Sequence, residues 1–156
     1  MLPAPRPQIT ATFSGLPTEP KERHEALVDV LGELLLSLRN WSVAATRRVL
    51  ESSNSQPGTL TPRESQFAGL ADLSPEQREL VGKLSQVTTD RFIQLLLTML
   101  GGTGVDQRLG DEHAIRFKLD LEICRVDTHD VVEVETLNRG GKKFFGDYWG
   151  RWINRF

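Results

Sequence analysis

Two short segments place carboxylates beside an imidazole, the combination used by metal sites and by general acid–base catalysis. They are DEH at 111–113 and DTHD at 127–130. The strand predicted between them has thirteen residues, and at about 3.3 Å per residue it separates them by roughly 40 Å. Each segment alone offers too few ligands for a closed metal site. We therefore expect solvated turn residues at both places, no metal site and no cofactor.

The glycines of GGTGVDQRLGD at 101–111 raise the question of phosphate binding, because glycine lets backbone amides approach an anion. The segment follows a predicted helix instead of a strand. It also lacks the Gly-Lys-Ser/Thr ending and does not complete the dinucleotide fingerprint. We predict a helix stop followed by a flexible connection.

The sequence supports covalent or acid–base catalysis no better than it supports metal or phosphate binding. The Gly-x-Ser-x-Gly pattern is absent, and Cys124 is expected on the wet face of a strand without a histidine or helix N-terminus to activate it. Glu133 and Glu135 share a strand face about 7 Å apart, as paired catalytic carboxylates can, but exposed acids on a hairpin are the preferred interpretation. His24 lies on a charged helix face with no visible partner. Enzymatic activity is left open, and a non-catalytic protein is favoured.

The C-terminal segment GGKKFFGDYWGRWINRF is both basic and aromatic: six of the eleven aromatic residues lie in the last thirteen positions. Residues 139–156 carry a net charge of +4, and residues 1–138 carry −6. Left exposed, the rings would form a larger apolar patch than monomers tolerate, so most of them are predicted to dock on the sheet. The alternative keeps one or two rings at the surface, beside the cations, as a partner-binding patch. The residues predicted for that patch are Arg139, Lys142, Lys143, Tyr148, Arg151, Trp152 and Arg155.

The segment is predicted to form a brief strand and then a short helix with Asp147 as its N-cap. One stripe of this helix is aromatic and apolar, and it consists of Trp149, Trp152, Ile153 and Phe156.

The elements that must position these residues begin with an arm at 1–17, predicted to be extended because it contains four prolines. A helix follows, with apolar residues at helical spacing, namely Leu27, Leu31, Leu34, Leu35 and Leu38. It either ends at Asn40, with a second helix capped by Ser42, or continues as one helix. Residues 52–72 are rich in Ser, Pro, Gly and Thr and are predicted to be a flexible loop, with a short helical turn near 64–70.

The clearest helix signal starts at Ser74, the predicted N-cap, followed by Pro75 and by Gln77 three residues after the cap. Gly101 or Gly102 supplies the left-handed stop. The apolar stripe of this helix is predicted to cover the core, and it consists of Leu80, Leu84, Val87, Arg91, Leu95 and Met99.

After this helix the hydrophobic period changes from helical to alternating. Residues 115–123 predict a strand with one buried and one wet face, and VVEVETL at 131–137 predicts its antiparallel partner, with Val132 and Val134 inward. The wet face would carry Arg116, Lys118, Asp120 and Glu122.

Together the elements predict a single α+β domain over 18–156, with two or three helices packed on a small antiparallel sheet formed by the C-terminal hairpin. One cysteine permits no intrachain disulfide and fits a reducing compartment, and no apolar run is long enough to span a membrane. We therefore expect a cytoplasmic protein of bacterial origin.

The predicted function is a non-catalytic accessory protein of the inhibitor or immunity type, which recognises a protein partner through the wet sheet face or the C-terminal patch. One alternative is a small enzyme or small-molecule binder with a pocket between helix and sheet, in which His113 or His129 lies near Glu133. A second alternative is nucleic-acid binding through the basic aromatic C-terminus, which the acidic remainder of the chain disfavours. Homo-oligomerisation stays open.

Overall fold

The computed structural model combines long helices with a two-stranded antiparallel sheet near the C-terminus, which is the α+β class predicted from the sequence. It describes residues 15–51, 62–102, 111–113, 115–139, 141 and 143–155. The helices are α1 (Pro20–Glu51), α2 (Pro62–Ser65), α3 (Pro75–Leu100) and α4 (Tyr148–Arg155), and the strands are β1 (Asp120–Cys124) and β2 (Val131–Thr136). Two 3₁₀ turns, Ala68–Asp72 and Phe145–Asp147, precede α3 and α4.

The predicted arm at 1–17 and the predicted loop at 52–72 lie partly outside the described residues. Where the loop is described, α2 and the first 3₁₀ turn occupy most of 62–72, in agreement with the helical turn expected near 64–70. No helix in the described ranges combines the length and the apolar character needed to cross a bilayer.

Helix α1 is one continuous helix, so the alternative that ended it at Asn40 is wrong. Neither proline nor glycine occurs between residues 33 and 51, and nothing there interrupts the backbone hydrogen bonds of the helix. At its start, the carboxylate of Glu19 accepts a hydrogen bond from the backbone N–H of Glu22 at 2.8 Å, which satisfies one of the free amides of the first turn.

Helix α3 begins and ends as predicted. The hydroxyl of Ser74 accepts a hydrogen bond from the N–H of Gln77 at 3.3 Å, and the side chain of Gln77 accepts one from the N–H of Ser74 at 2.9 Å. This reciprocal pair is a capping box. At the other end Gly102 has a positive φ of 76°, the left-handed conformation that stops a helix and that glycine adopts without strain.

The predicted hairpin is present, but its faces are partly reversed. Leu121 pairs with Glu135 and Ile123 with Glu133, so both glutamates share the face of β1 that packs on the core. The prediction that Val132 and Val134 point inward is therefore wrong, and these side chains are 51% and 49% exposed.

Strand β1 is also shorter than the alternating pattern, since it starts at Asp120 instead of near Ile115. Of the predicted wet face, Arg116, Lys118, Asp120 and Glu122 are all exposed.

The contacts divide the chain into two compact units. Of the described residues, 15–36 and 93–155 form one, here called the sheet unit, and 37–51 and 62–92 form the other, here called the helical unit. Each unit contains part of α1 and part of α3. The prediction of one domain over 18–156 stays a prediction.

The core of the sheet unit is built on the C-terminal aromatic residues, so the prediction that most of these rings are buried is confirmed. The hydrogen bonds of Tyr148 and Trp152 are made with Glu25 and Asp29 of α1 instead of with the sheet. Trp152 and Tyr148 are 0% and 1% exposed, and the Trp149 and Trp152 rings meet edge to face at 6.4 Å. Burial of each large ring contributes about 2–3 kcal/mol. The buried apolar cluster consists of Leu27, Val28, Leu36, Ile93, Leu97, Leu137, Phe145, Tyr148, Trp149 and Trp152.

The helical unit is held by contacts between the second half of α1 and the first half of α3. The guanidinium of Arg39 makes two hydrogen bonds to the carboxylate of Asp90, at 2.7 and 2.9 Å. The hydroxyls of Thr46 and Ser85 are 3.0 Å apart. These contacts fix which side of α3 faces α1.

Gly32 provides the space that the Trp152 ring occupies. A Cβ placed on Gly32 would lie 2.5 Å from the indole ring, whereas one placed on Gly150 of α4 would meet nothing within 4 Å. We predict that Gly32→Ala lowers the free energy of unfolding by about 1–3 kcal/mol because the ring must move. Gly150→Ala, the control, should be neutral or stabilising by up to about 1 kcal/mol. Urea denaturation followed by circular dichroism measures both, and equal effects would contradict this packing.

Candidate functional site

The seven residues predicted to bind a partner do not form one exposed surface. Tyr148 and Trp152 are buried in the sheet unit, so neither ring can contact a partner in this structure. Arg151 and Arg155 bind acidic side chains of α1. Arg139 and Lys143 are exposed, and Lys142 lies outside the described residues. The role of these residues in partner binding stays a prediction.

The residues that hold α4 were not identified from the sequence: they are Glu25 and Asp29 of α1. Arg151 donates to both carboxylates, and Arg155 donates to Asp29. The Trp152 indole N–H also donates to Asp29, at 2.9 Å. Two acids spaced i, i+4 on α1 thus face two arginines spaced i, i+4 on α4. That matched spacing is a signal the sequence contained.

The environment of Arg151 favours its charged form. Burial lowers its pKa, but the hydrogen bonds and charges of Glu25 and Asp29 outweigh the burial, and the net effect raises the pKa above its usual value. The guanidinium also lies 4.5 Å from the centre of the Tyr148 ring, a cation–π distance. Arg151 is therefore an internal structural cation.

The Tyr148 hydroxyl donates a hydrogen bond to Glu25 at 2.6 Å. Burial raises the pKa of Tyr148, and the hydrogen bond to Glu25 and the charge of that carboxylate raise it further, to about 12. The Tyr148 hydroxyl therefore stays protonated throughout the physiological pH range.

Each of the two glutamates on the inner face of β2 has a partner side chain on α1. Glu133 is paired with Arg23, and Glu135 lies 2.6 Å from Nδ1 of His24. His24 is only 6% exposed, so the predictions that it has no partner and that these acids are solvated are both wrong. The residue paired with Glu133 is Arg23, and the enzyme alternative with His113 or His129 near Glu133 stays a prediction. The described residues contain no cluster of three or more His, Cys, Asp or Glu side chains that could hold a metal.

A small cavity of about 110 Å³ lies beside the C-terminal turn, and Arg139, Gly141, Lys143 and Tyr148 are part of its lining. Small-molecule sites usually enclose about 300–1,000 Å³. The cavity has room for a few water molecules or a small ion, and it is much smaller than a substrate pocket.

Helix α3 exposes apolar side chains that the sequence predicted to be buried. The stripe predicted to cover the core is exposed: Leu80, Leu84 and Val87 are 65%, 66% and 62% exposed. Leu95, further along the same helix, is 55% exposed. The prediction that this stripe is buried is wrong for these four residues and for Arg91, which is also exposed, whereas Met99 is half-buried.

The side of α3 that packs on α1 within the helical unit is small and polar. Ser85 and Asp90 bind Thr46 and Arg39, and Gly82 approaches the side chain of Leu50. At about 100° per residue, Gly82 lies about 160° around the helix from both Leu80 and Leu84, and Ser85 and Asp90 flank the packed side. The name "α3 apolar face" is used below for Leu80, Leu84 and Val87.

An exposed apolar face of this kind is unusual for a helix that already has a packed side. An ordinary surface helix directs its apolar stripe inward and its polar residues to solvent. Contiguous exposed apolar residues indicate a surface at which another molecule binds. The α3 apolar face is therefore the candidate functional site.

Comparisons of the chain with protein-family models, with curated proteins and with solved structures found no match.

Asp29 is predicted to be the main polar anchor of α4. Asp29→Asn should lower the free energy of unfolding by about 2 kcal/mol, because it removes one of the two counter-charges of the partly buried Arg151 and the carboxylate that binds Arg155. Glu22→Gln, which changes an exposed acid on the same helix, should shift it by no more than about 0.5 kcal/mol. Urea denaturation monitored by tryptophan fluorescence measures both variants. A loss in Asp29→Asn no larger than in Glu22→Gln would contradict the anchoring role.

Tyr148 is the only tyrosine of the chain, so tyrosinate absorbance reports on it alone. We predict a titration midpoint near pH 12 in the folded protein and near pH 10 in the denatured chain. Below about pH 10 the phenol is protonated in both states, and between about 10 and 12 the unfolded chain ionises first. Stability should therefore fall as the pH rises through this window.

The titration of Glu25→Gln provides the control for Tyr148. Removing the carboxylate should lower the folded midpoint but leave the part of the shift that burial causes. Equal midpoints in the folded and denatured wild-type chain would show that the hydroxyl is not buried against Glu25.

Proposed function

We propose that this chain is a non-catalytic protein-binding protein and that the α3 apolar face is its binding surface. The observation that carries the proposal is the exposure of Leu80, Leu84 and Val87, which lie on the side of α3 turned away from Gly82. Three such side chains at helical spacing match the way a helix is recognised by another helix or by an apolar groove.

Burial of the α3 apolar face by a partner is favourable. Burying a leucine or valine side chain is worth about 1.5–3 kcal/mol, and side chains that are already about one third buried can contribute the remaining part of that value. Three of them together contribute about 3–6 kcal/mol, and apolar surface buried on the partner must add to this to offset an association cost of about 4–15 kcal/mol. Aggregation would be the alternative fate of such a face.

The proposal moves the binding surface away from the C-terminal patch predicted from the sequence. The rings of Tyr148 and Trp152 are buried, and the charges of Arg151 and Arg155 are compensated by acids of α1. A buried ring cannot stack on a nucleic-acid base, which also weakens the nucleic-acid alternative.

The finer assignment is an accessory protein of the inhibitor or immunity type, acting in the bacterial cytoplasm. The reducing compartment in this assignment is supported by the single cysteine, Cys124, which is free and exposed.

Site-specific photo-crosslinking tests the proposal. A benzoylphenylalanine at position 84 in the full chain should crosslink to a protein in cells, and an added Leu80→Lys change should abolish the adduct. The control is the same probe at Val126, which lies 93% exposed in the turn of the hairpin. No adduct from position 84, or the same adducts from both positions, would contradict the proposal.

A further inference from the structure

We infer that the partner of the α3 apolar face is a second copy of this chain, with the two α3 helices paired antiparallel about a two-fold axis between Lys83 and Leu84. The inference rests on the proposed function, because it names the occupant of the same surface. Two properties of the described residues support it, the symmetry of the apolar positions and the placement of the flanking charges.

The apolar positions are symmetric about one point on the helix. Leu80 and Val87 are equally far from the midpoint between Lys83 and Leu84, and Leu84 lies next to it. An antiparallel two-fold therefore brings Leu80 of each copy opposite Val87 of the other and the two Leu84 side chains together at the centre. A two-fold interface requires a patch that is complementary to itself, and this face has that property.

The charges at the two ends of the face obey the same symmetry. Glu76 and Arg91 are exposed and equally far from the midpoint, one turn or more beyond the apolar residues. At about 100° per residue, both lie within the same sector of about 80° as Leu80 and Leu84. In the antiparallel pair, Arg91 of each copy faces Glu76 of the other. In a parallel pair each would meet its own like charge, which is unfavourable.

Lys83 lies at the centre of the face but does not oppose the pairing. Its ammonium group is bound to the carboxylate of Glu79 at 2.7 Å, one turn earlier on the same helix. The two central lysines thus each have a counter-charge on their own copy, and their alkyl stems can extend the apolar contact.

The expected dimer is weak. One helix face buries less area than the standard protein interface, and contacts of that size are typical of micromolar, reversible association. The apolar residues supply most of the affinity, and the two exposed ion pairs select the orientation.

Sedimentation equilibrium of the full chain, over low to high micromolar concentration, measures the association. Wild type should approach twice the monomer mass, and Leu84→Glu should be monomeric because two buried acids would meet at the axis. Val126→Glu makes the same kind of change at an exposed turn residue and should dimerise like wild type. Leu84 is 66% exposed, so Leu84→Glu should keep the circular dichroism spectrum of wild type.

Charge reversal tests the antiparallel register. Arg91→Glu alone places acids against Glu76, and Glu76→Arg alone places cations against Arg91, so each variant should dimerise about tenfold more weakly than wild type. Mixing the two variants restores opposite charges at both ends, and the mixed dimer should recover most of the wild-type affinity. In a parallel dimer, neither variant would be weakened in this way.

The outcomes separate this inference from the proposed function. A wild type that stays monomeric at every concentration, or a dimer that Leu84→Glu does not weaken, overturns the inference. Single variants that dimerise as well as wild type, or a mixture that recovers nothing, overturn the antiparallel register. If the wild type is monomeric but position 84 crosslinks to a different protein, the proposed function stands and only the second copy is rejected.

Discussion

The sheet unit depends on the carboxylate of Asp29. This carboxylate accepts hydrogen bonds from the Trp152 indole N–H and from the guanidinium groups of Arg151 and Arg155. With its N–H satisfied there, the largest ring of the core can be fully buried. Helix α4 has only eight residues, too few to be helical alone. Its helix is therefore a consequence of docking on α1, at the place where Gly32 leaves room for the ring. The hairpin is joined to α1 in the same manner, through Glu133 and Glu135.

These ion pairs change how the charge of the chain should be understood. The basic C-terminal segment resembles a surface for anions, but two of its arginines neutralise Glu25 and Asp29 within the fold. These charged side chains thus hold α4 on α1. The α3 apolar face is left exposed, because within the helical unit α3 packs on α1 through glycine, serine and aspartate. The surface that we propose for association is the one that this packing leaves exposed.

The symmetry of α3 adds a second constraint. Along the exposed side of α3, Glu76 is followed by the α3 apolar face and then by Arg91. When a second α3 helix lies antiparallel to the first, Glu76 faces Arg91 at both ends and the apolar residues face each other. A face that bound an unrelated partner would need no such symmetry. The polar ends also disfavour a parallel arrangement, in the way that charged flanking positions set orientation in coiled coils.

Much of the local structure could be predicted from the chain alone. The cap at Ser74 and Gln77, the stop at Gly102 and the hairpin each depend on residues within a few positions of one another, and the docking of the aromatic tail follows from composition. The sequence could not predict which face of α3 and which face of β2 are buried. Periodicity identifies a stripe or an alternating face but not what covers it, and the residue that neutralises Glu133 is Arg23, 110 positions away. Partners that are distant in the sequence decide which face is buried, because the free energy of burying a polar group depends on the side chain that pairs with it.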